Sequence, residues 1–489
     1  MIAAMRAVLV CLGLLVAARG EAEPLGEGAA LSLRDVVAAA VRQAPEMERA
    51  RLDLASATAV AERVTGVRDV HLGAVTDFAR SRDSPTSAVG SNRFQSADVG
   101  VSVSQTIGSG ATIAVKGTTG VTTQQLVAYP DETRGYTSSL ALSVTQPLLR
   151  GAGGIAAPIR QAAEARDAAA LSREARAREL LIAITAAYWQ VALAWDQLEV
   201  RRASLALGEK QLEFTRGAIR SDKVAKSEEL AVSEVIAVRQ LDVIAGEQQV
   251  LDASLALRQL AGLEIGPDAL AVRTEALPAV AAAELDQAAA VAAAFARSAE
   301  LAGLEATERA GRAAVEAAEN AARSRLDLAV SGGPQATASG LGASLANTGK
   351  VTGYQVSASL TYDHALGEHA ERGGEAVARA TLAKARTELA AAKARTAGRV
   401  TRAAQRARAA LASLTLCDRA IELATANIEA EQHRFELAKS TNFEVLRRQD
   451  ELQTARLRRA SAVVDYLSAR AEVEGLTGEL LGRYGVVIQ

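Results

Sequence analysis

Cysteine is nearly absent from this 489-residue chain: there are two, Cys11 and Cys417. Cys11 sits in an N-terminal segment where Arg6 precedes the apolar run Ala7 to Ala18 and then small residues. That is the pattern of a secretory leader, read here over residues 1–22. The run is too short to span a bilayer, and Val8-Leu9-Val10 lacks the small residues that a lipidation site needs. With the leader removed, Cys417 is the one thiol left, which excludes an internal disulfide. Packing alone must hold the exported chain together.

Proline is also scarce: none occurs between Pro158 and Pro267, and none after Pro334. Those two tracts hold most of the Ala, Leu, Arg and Glu, and they favour helix. Neither sign of charge is in excess, with 55 Lys and Arg against 57 Asp and Glu. A nucleic-acid footprint is thereby excluded. The four histidines, His71, His364, His369 and His433, lack metal-ligand spacing. No nucleophile motif or phosphate loop appears, so no catalytic residue, cofactor or metal ligand is nominated and the chain is read as a non-enzyme.

What the chain does have is a duplication. A helix begins near Leu31, with Ala44-Pro45-Glu46-Met47 inside it, and a matching segment begins at Leu285, with Ala299-Glu300-Leu301 at the equivalent place, an offset of 254 residues. Each is followed by Gly/Ser/Thr-rich alternating segments and then by a long helical stretch broken once. A repeat of helix, strands, long helix, break and long helix specifies an architecture on its own.

The long stretches carry steps of three and four. Leu180, Ile184, Ala187, Val191, Ala194 and Leu198 form one seam, and Leu230, Ala237, Ile244 and Leu251 continue it at seven-residue spacing. In the second half the seams are Leu414, Cys417, Ile421, Ala424, Ile428 and Phe435, then Leu457, Ala460, Val464, Leu467 and Ala471. Sustained steps of 3.5 predict coiled-coil packing along whole helices. Small seam residues suit many helices set side by side in a wall.

Between the first helix and Pro147 the period becomes two. Val70, Leu72, Ala74 and Phe78 alternate with small or polar residues, as do Ala97, Val99, Val101 and Val103, then Ala111, Ile113 and Val115, then Leu140, Leu142 and Val144. Two more strands are expected near Arg325 to Ser331 and Val351 to Tyr362. One apolar and one small-polar face is what a barrel in lipid requires around a wet lumen. The turn Ile107-Gly108-Ser109-Gly110 is tight, while 81–95 and 118–135 read as long outer loops. Phe78, Phe94, Tyr129, Tyr136, Tyr354 and Tyr362 are candidate membrane-girdle residues. So few strands cannot close a barrel alone, and open edges in lipid are costly, so the chain must oligomerise.

Taken together, these residues resemble the TolC-like outer-membrane efflux family. The resemblance rests on Leu31-Ser32-Leu33-Arg34-Asp35 with Ala44-Pro45-Glu46-Met47, on Thr145-Gln146-Pro147-Leu148-Leu149-Arg150-Gly151 at a strand-to-helix junction, and on Phe443-Glu444-Val445-Leu446 with Gln449 and Leu452 where a helix restarts. The sequence departs from the pattern in places. Asp363-His364 stands at the second junction, Ala438-Lys439 replaces the glycine that Gly217 supplies, and Val224-Ala225 matches Val445-Leu446 poorly. The resemblance implies a mainly α protein with a membrane β part: long antiparallel coiled-coil helices forming a periplasmic tunnel, and a trimeric transmembrane β-barrel. It also implies a homotrimer in outer-membrane lipid that docks to a periplasmic adaptor and an inner-membrane transporter, exports small molecules, and has no nucleic-acid partner. An outer component of type I protein secretion and a periplasmic coiled-coil scaffold are the alternatives.

The organisation expected is a leader over 1–22, then a first repeat with an N-terminal helix over 23–66, strands over 67–147 and a helical pair over 148–266. A linker over 267–283 leads to a second repeat, with a helix over 284–324, a hairpin over 325–366 and a helical pair over 367–489. The periplasmic tip is expected at the two helix breaks, with Gly217, Arg220, Asp222 and Lys223 at the first and Lys439, Thr441, Asn442 and Phe443 at the second. The offset between halves falls from 254 at Pro45 and Ala299 to 217 at Pro147 and His364, so the first half carries 37 additional residues. That is room for two more strands and their connections. Six strands per chain are therefore expected, where the resemblance implies four.

Overall fold

Pro45 decides where the first helix ends. The residue before a proline is pushed out of helical conformation, and Ala44 is extended (φ −61°, ψ 130°). The expected single helix is accordingly two, α1 (Leu33–Gln43) and α2 (Pro45–Thr65), with proline at the first helical position, where its missing N–H costs nothing. The second half makes the same break without proline. Ser298 is extended and accepts a hydrogen bond from the Leu301 N–H, capping α6 (Ala299–Ala321) after α5 (Gln287–Arg297). Pro45 and Ala299, equivalent in the repeat, each begin a helix.

These elements belong to a computed structural model that describes residues 30–82, 91–126, 131–221, 225–265, 271–280, 285–437 and 439–485. The expected leader, part of the linker, Tyr129, Asp222 and Lys223 lie outside the described residues. The remaining elements are β1 (Val70–Arg82), β2 (Ser91–Thr106), β3 (Thr112–Leu126), β4 (Thr133–Pro147), α3 (Ala156–Arg220), α4 (Ser227–Ala261), β5 (Arg325–Ala338), α7 (Leu341–Gly349), β6 (Tyr354–Asp363), α8 (His369–Glu436), α9 (Asn442–Leu476) and α10 (Glu479–Tyr484). The chain divides into two compact units.

One unit comprises Met1–Met47, Ala177–Ala294 and Arg399–Gln489. Its largest core joins Val36, Val37 and Ala40 of α1 to Leu180, Leu181, Ile184, Tyr188 and Val191 of α3 and to Leu257 of α4. Each fully buried aliphatic side chain here contributes roughly 1.5–3 kcal/mol. The Tyr188 hydroxyl donates to the Leu31 carbonyl (2.8 Å) and accepts from the Glu275 N–H (3.0 Å), beside a parallel bridge between Leu31 and Thr274. The Trp195 indole donates to the Val272 carbonyl (2.8 Å), and the Arg273 guanidinium lies 4.6 Å over the Trp195 ring. A polar tyrosine and a tryptophan thus pin the connecting segment to α3.

The α3 seam is buried as its spacing predicts, from Leu180 through Ile184, Val191 and Ala194 to Leu198. The α4 seam is not the expected one. Leu230 and Ile244 are 74% and 62% exposed, and the buried residues are Val232, Ile236, Arg239, Gly246, Val250, Ser254, Leu257 and Ala261. Two apolar stripes run along α4, and spacing alone does not choose between them. The core takes the stripe with Gly246 and Ser254, where a Cβ on Gly246 would lie 3.1 Å from Leu198 Cδ1 and Val272 N donates to Ser254 Oγ (3.0 Å). In α8, Leu414, Ile428 and Phe435 are buried, whereas Cys417 is half-buried rather than fully enclosed.

The other unit comprises Glu48–Arg176 and Phe295–Gly398. Here α6 meets α3 at Gly303, whose Cβ position lies 3.4 Å from Leu171 Cβ, and meets α8 at Gly311, 3.3 Å from Leu382 Cδ1. The strands form one six-stranded antiparallel sheet in the order β1-β2-β3-β4-β5-β6. They are longer than the alternation suggested, because Thr, Gln and Ser continue the ladder into 118–126 and 91–95, which the sequence assigned to loops. Thr and the other β-branched residues fit a pleated surface even where no apolar pattern marks them. Among the described helices, none is long and apolar enough to cross a membrane.

Candidate functional site: a two-faced sheet and a helical tip

The pairing register sorts the strand side chains into two faces. Leu72, Val103, Val115, Leu142 and Val356 share one row with Gly332, and the next row holds Val70, Gln105, Ile113, Val144, Val330 and Ala358. This face is apolar and open: Leu72 is 76% and Val356 69% exposed. Further rows place Phe78 with Tyr136 toward the end distant from the long helices, and Tyr362 at the end that leads into α8. Tyr354 and Tyr362 lie on the same face of β6, eight residues or roughly 27 Å apart. Beyond the Phe78–Tyr136 row come Arg80, Arg82, Arg93 and Arg134 on that same face, and Arg93 pairs with Glu132 at 3.2 Å. The order arginine, aromatic, aliphatic, aromatic is that of a surface crossing from headgroups through hydrocarbon.

The opposite face carries Gly73, Ser102, Ser104, Lys116, Ser139, Ser143, Ser331 and Ser357, with Asp77 and Asp98 as register partners. Phe94 falls on this polar face, opposite Ser81 and Gln124, so it is not a girdle residue on the apolar side. Phe78, Tyr136, Tyr354 and Tyr362 lie on the apolar face, where a girdle would need them.

Helix α7 was not anticipated. It lies over β4 and β5 on the apolar face, where Ser344 Oγ donates to the Ala336 carbonyl (3.0 Å) and is hydrogen-bonded with Ser138 Oγ (3.0 Å), and Thr348 Oγ1 donates to the Ser138 carbonyl (2.9 Å). Ser344 is fully buried, whereas Leu341 and Leu345 are 45% and 51% exposed. This inside-out polarity suits a helix with protein beneath it and hydrocarbon above. Val351 holds φ 54° just after α7 and is 59% exposed, a strained conformation for a β-branched residue. The i, i+4 spacing of Leu341 with Leu345 and of Ser344 with Thr348 was the signal available in the sequence.

At the helical tip, α3 ends at Arg220 and α4 begins at Ser227, while α8 ends at Glu436 and α9 begins at Asn442. Gly217 is inside α3, which continues to Arg220, and Ser221 Oγ donates back to the Gly217 carbonyl (2.8 Å). A glycine inside a helix costs only about 1 kcal/mol and does not by itself end it. Arg220 and Lys439 are exposed. Thr441 caps α9 by accepting from the Glu444 N–H. Phe443 is 69% exposed and borders an open groove of about 1020 Å³ with Leu416, Cys417, Leu423 and Arg447.

Asn442, by contrast, is 1% exposed and joins three helices. Its Oδ1 accepts from Gln211 Nε2 (2.7 Å) and Thr215 Oγ1 (2.9 Å) of α3, and its Nδ2 donates to Glu228 Oε2 (3.1 Å) of α4. Farther along, buried Arg239 donates to the Ser204 carbonyl (2.9 Å), Gln449 Oε1 (3.0 Å) and Asp450 Oδ1 (2.8 Å). Gln211, Thr215, Glu228 and Arg239 were missed by the sequence reading, although the polar residues interrupting α4's buried stripe marked the place; Gln449 stood in the helix-restart motif without a role.

No family profile matches the sequence, and no curated protein matches it. Solved structures do. The outer-membrane protein VceC from Vibrio cholerae superposes with a TM-score of 0.69 at 15% identity, over 91% of this chain and 96% of that one. The outer-membrane channel OprN gives 0.67 at 16% identity, over 91% and 90%. The Neisseria gonorrhoeae MtrE outer-membrane channel, in its open state, gives 0.64 at 14% identity, over 92% and 89%. The chain has the TolC-like fold. At these identities the likeness covers architecture, and the TolC-like fold accounts for the duplication, the paired long helices and the meandering sheet.

Proposed function

We propose that the protein is one subunit of a trimeric channel-tunnel in the outer membrane of a double-membraned bacterium. It exports small molecules as the outer component of a tripartite efflux pump, with a periplasmic adaptor and an inner-membrane transporter. The observation that carries this reading is the sheet: a lipid-type apolar face ordered by aromatic rows, a polar face suited to a wet lumen, and two open edges. A water-soluble scaffold has no use for Leu72, Phe78 and Val356 standing open on one face. The names of the superposing structures, two outer-membrane channels and an outer-membrane protein, support the same reading.

Oligomerisation has a second support in the helices. The uncovered α4 stripe of Leu230 and Ile244, and the stripe of Leu416 and Leu423 in α8 with Leu437 just past its end, fall at multiples of seven residues and are at least half exposed in the single chain. Such stripes fit neighbouring copies in a ring of helices. Gating is assigned to the tip, where the Asn442 and Arg239 bonds hold α9 against α3 and α4. Arg220 and Lys439 would rim the entrance with positive charge in threefold copy. A strain lacking the gene should accumulate a fluorescent efflux substrate, and the gene restored should reverse this. Unchanged accumulation across a broad panel of small substrates would overturn the efflux role.

A further inference from the structure

We propose that three copies close an eighteen-stranded barrel, with β6 of each copy pairing antiparallel with β1 of the next. The inference rests on the trimeric outer-membrane reading and adds what the wall is made of. The hairpin β2–β3 stands inside the sheet, bonded to β1 on one side and β4 on the other. Its Val99, Val101, Val103, Ile113 and Val115 continue the apolar face without a change of register. Its turn is locked to the junction between β4 and α3, since Gly153 N donates to the Ser109 carbonyl (2.8 Å) and Ser109 Oγ to Gln146 Oε1 (3.2 Å). The hairpin is therefore a stretch of wall.

The open positions are the outer edges. Every residue of β1 and every residue of β6 is exposed, as edge strands awaiting partners would be. β1 leads away from the helices and β6 leads back toward them, so a six-strand unit repeats with antiparallel pairing at every seam. A single curved sheet of six strands leaves two rows of unpaired backbone groups in hydrocarbon, which lipid does not tolerate. Three units remove all of them. At equal tilt, a wall of eighteen strands has about one and a half times the circumference of one built from four strands per chain. The outer exit is correspondingly wider.

Disulfide trapping in isolated outer membranes tests this, with Cys417 replaced by alanine. Ala74→Cys in β1 is combined in turn with Val356→Cys, Ala358→Cys or Leu360→Cys in β6, all on the apolar face. Oxidation is expected to link chains to one another, up to three, through one preferred β6 position. Ala74→Cys with Val101→Cys, register partners, should close within one chain and shows that the sheet is formed. Ala74→Cys with Leu140→Cys spans three strand spacings, about 14 Å, and should not close. A β1–β4 disulfide within one chain would place the hairpin outside the wall and overturn the eighteen-strand barrel while leaving the export reading intact. An outer-membrane oligomer with no β1–β6 product at any position would overturn it too. Protein that never reaches the outer membrane would overturn both.

Discussion

A Cβ on Gly110 would collide with the carbonyl oxygen of Gly151, and both glycines hold positive φ, 86° and 93°. The tight turn after β2 and the exit from β4 therefore approach as closely as two backbones can. Positive φ at a non-glycine costs of order 1–3 kcal/mol before any clash. Gly110→Val should abolish the heat-resistant oligomer on a gel. Gly108→Ala, in the same turn but with open space around its Cβ position, should leave that oligomer unchanged.

The two faces of the sheet predict opposite responses to charge. Leu142→Arg places a cation on the apolar face near the middle of the band, at a cost of about 2–4 kcal/mol in lipid. Its neighbour Ser143→Arg points to the polar face and should be tolerated. Assembly yield from detergent-extracted membranes measures the difference, and equal yields for the two variants would contradict the face assignment.

At the tip, Asn442→Ala removes three hydrogen bonds and leaves Gln211 and Glu228 short of a partner, while Thr215 Oγ1 keeps the Gln211 carbonyl. A buried group left unsatisfied costs about 1–3 kcal/mol. The variant should assemble normally and show raised single-channel conductance as α9 loosens from α3 and α4. Arg220→Gln should leave conductance closer to wild type and shift cation-over-anion selectivity upward. Unchanged selectivity would remove Arg220 from the entrance.

Tyr188 gives the chain a dependence on alkaline pH. Burial, with repulsion from Glu275 adding to it, pushes its hydroxyl up to about 12 from 10, although the bond from the Glu275 backbone works in the other direction. The folded chain therefore keeps a proton that the unfolded chain releases. The contribution is whole below pH 10 and is lost as pH rises from 10 toward 12. Tyr188→Phe should be less stable by about 1–3 kcal/mol at neutral pH, and its melting temperature should fall less steeply over that alkaline window.

The architecture was legible because period and proline placement are local signals. The α3 seam from Leu180 to Leu198 and the alternation around Val101 and Leu142 needed no tertiary knowledge. Three features did. The stripe that α4 buries depends on what α3 presents, and Arg239 at a core position hides the true seam from any apolar count. Helix α7 was masked by its inverted polarity, with Ser344 and Thr348 inward and Leu345 outward, which reads as a loop when water is assumed outside. The Asn442 hub joins residues more than two hundred positions apart, so neither helix break announces it. Gly217 misled for the opposite reason: glycine is a strong local signal, but α3 runs past it.

On the proposed reading the sheet stands in the outer membrane as part of an oligomer. Separating cell membranes on a density gradient and extracting the outer-membrane fraction with detergent tests it most directly. The protein should travel with outer-membrane porins, resist salt and alkaline washing, and emerge as a heat-modifiable oligomer of three chains. Recovery as a monomer in the soluble periplasmic fraction would contradict it.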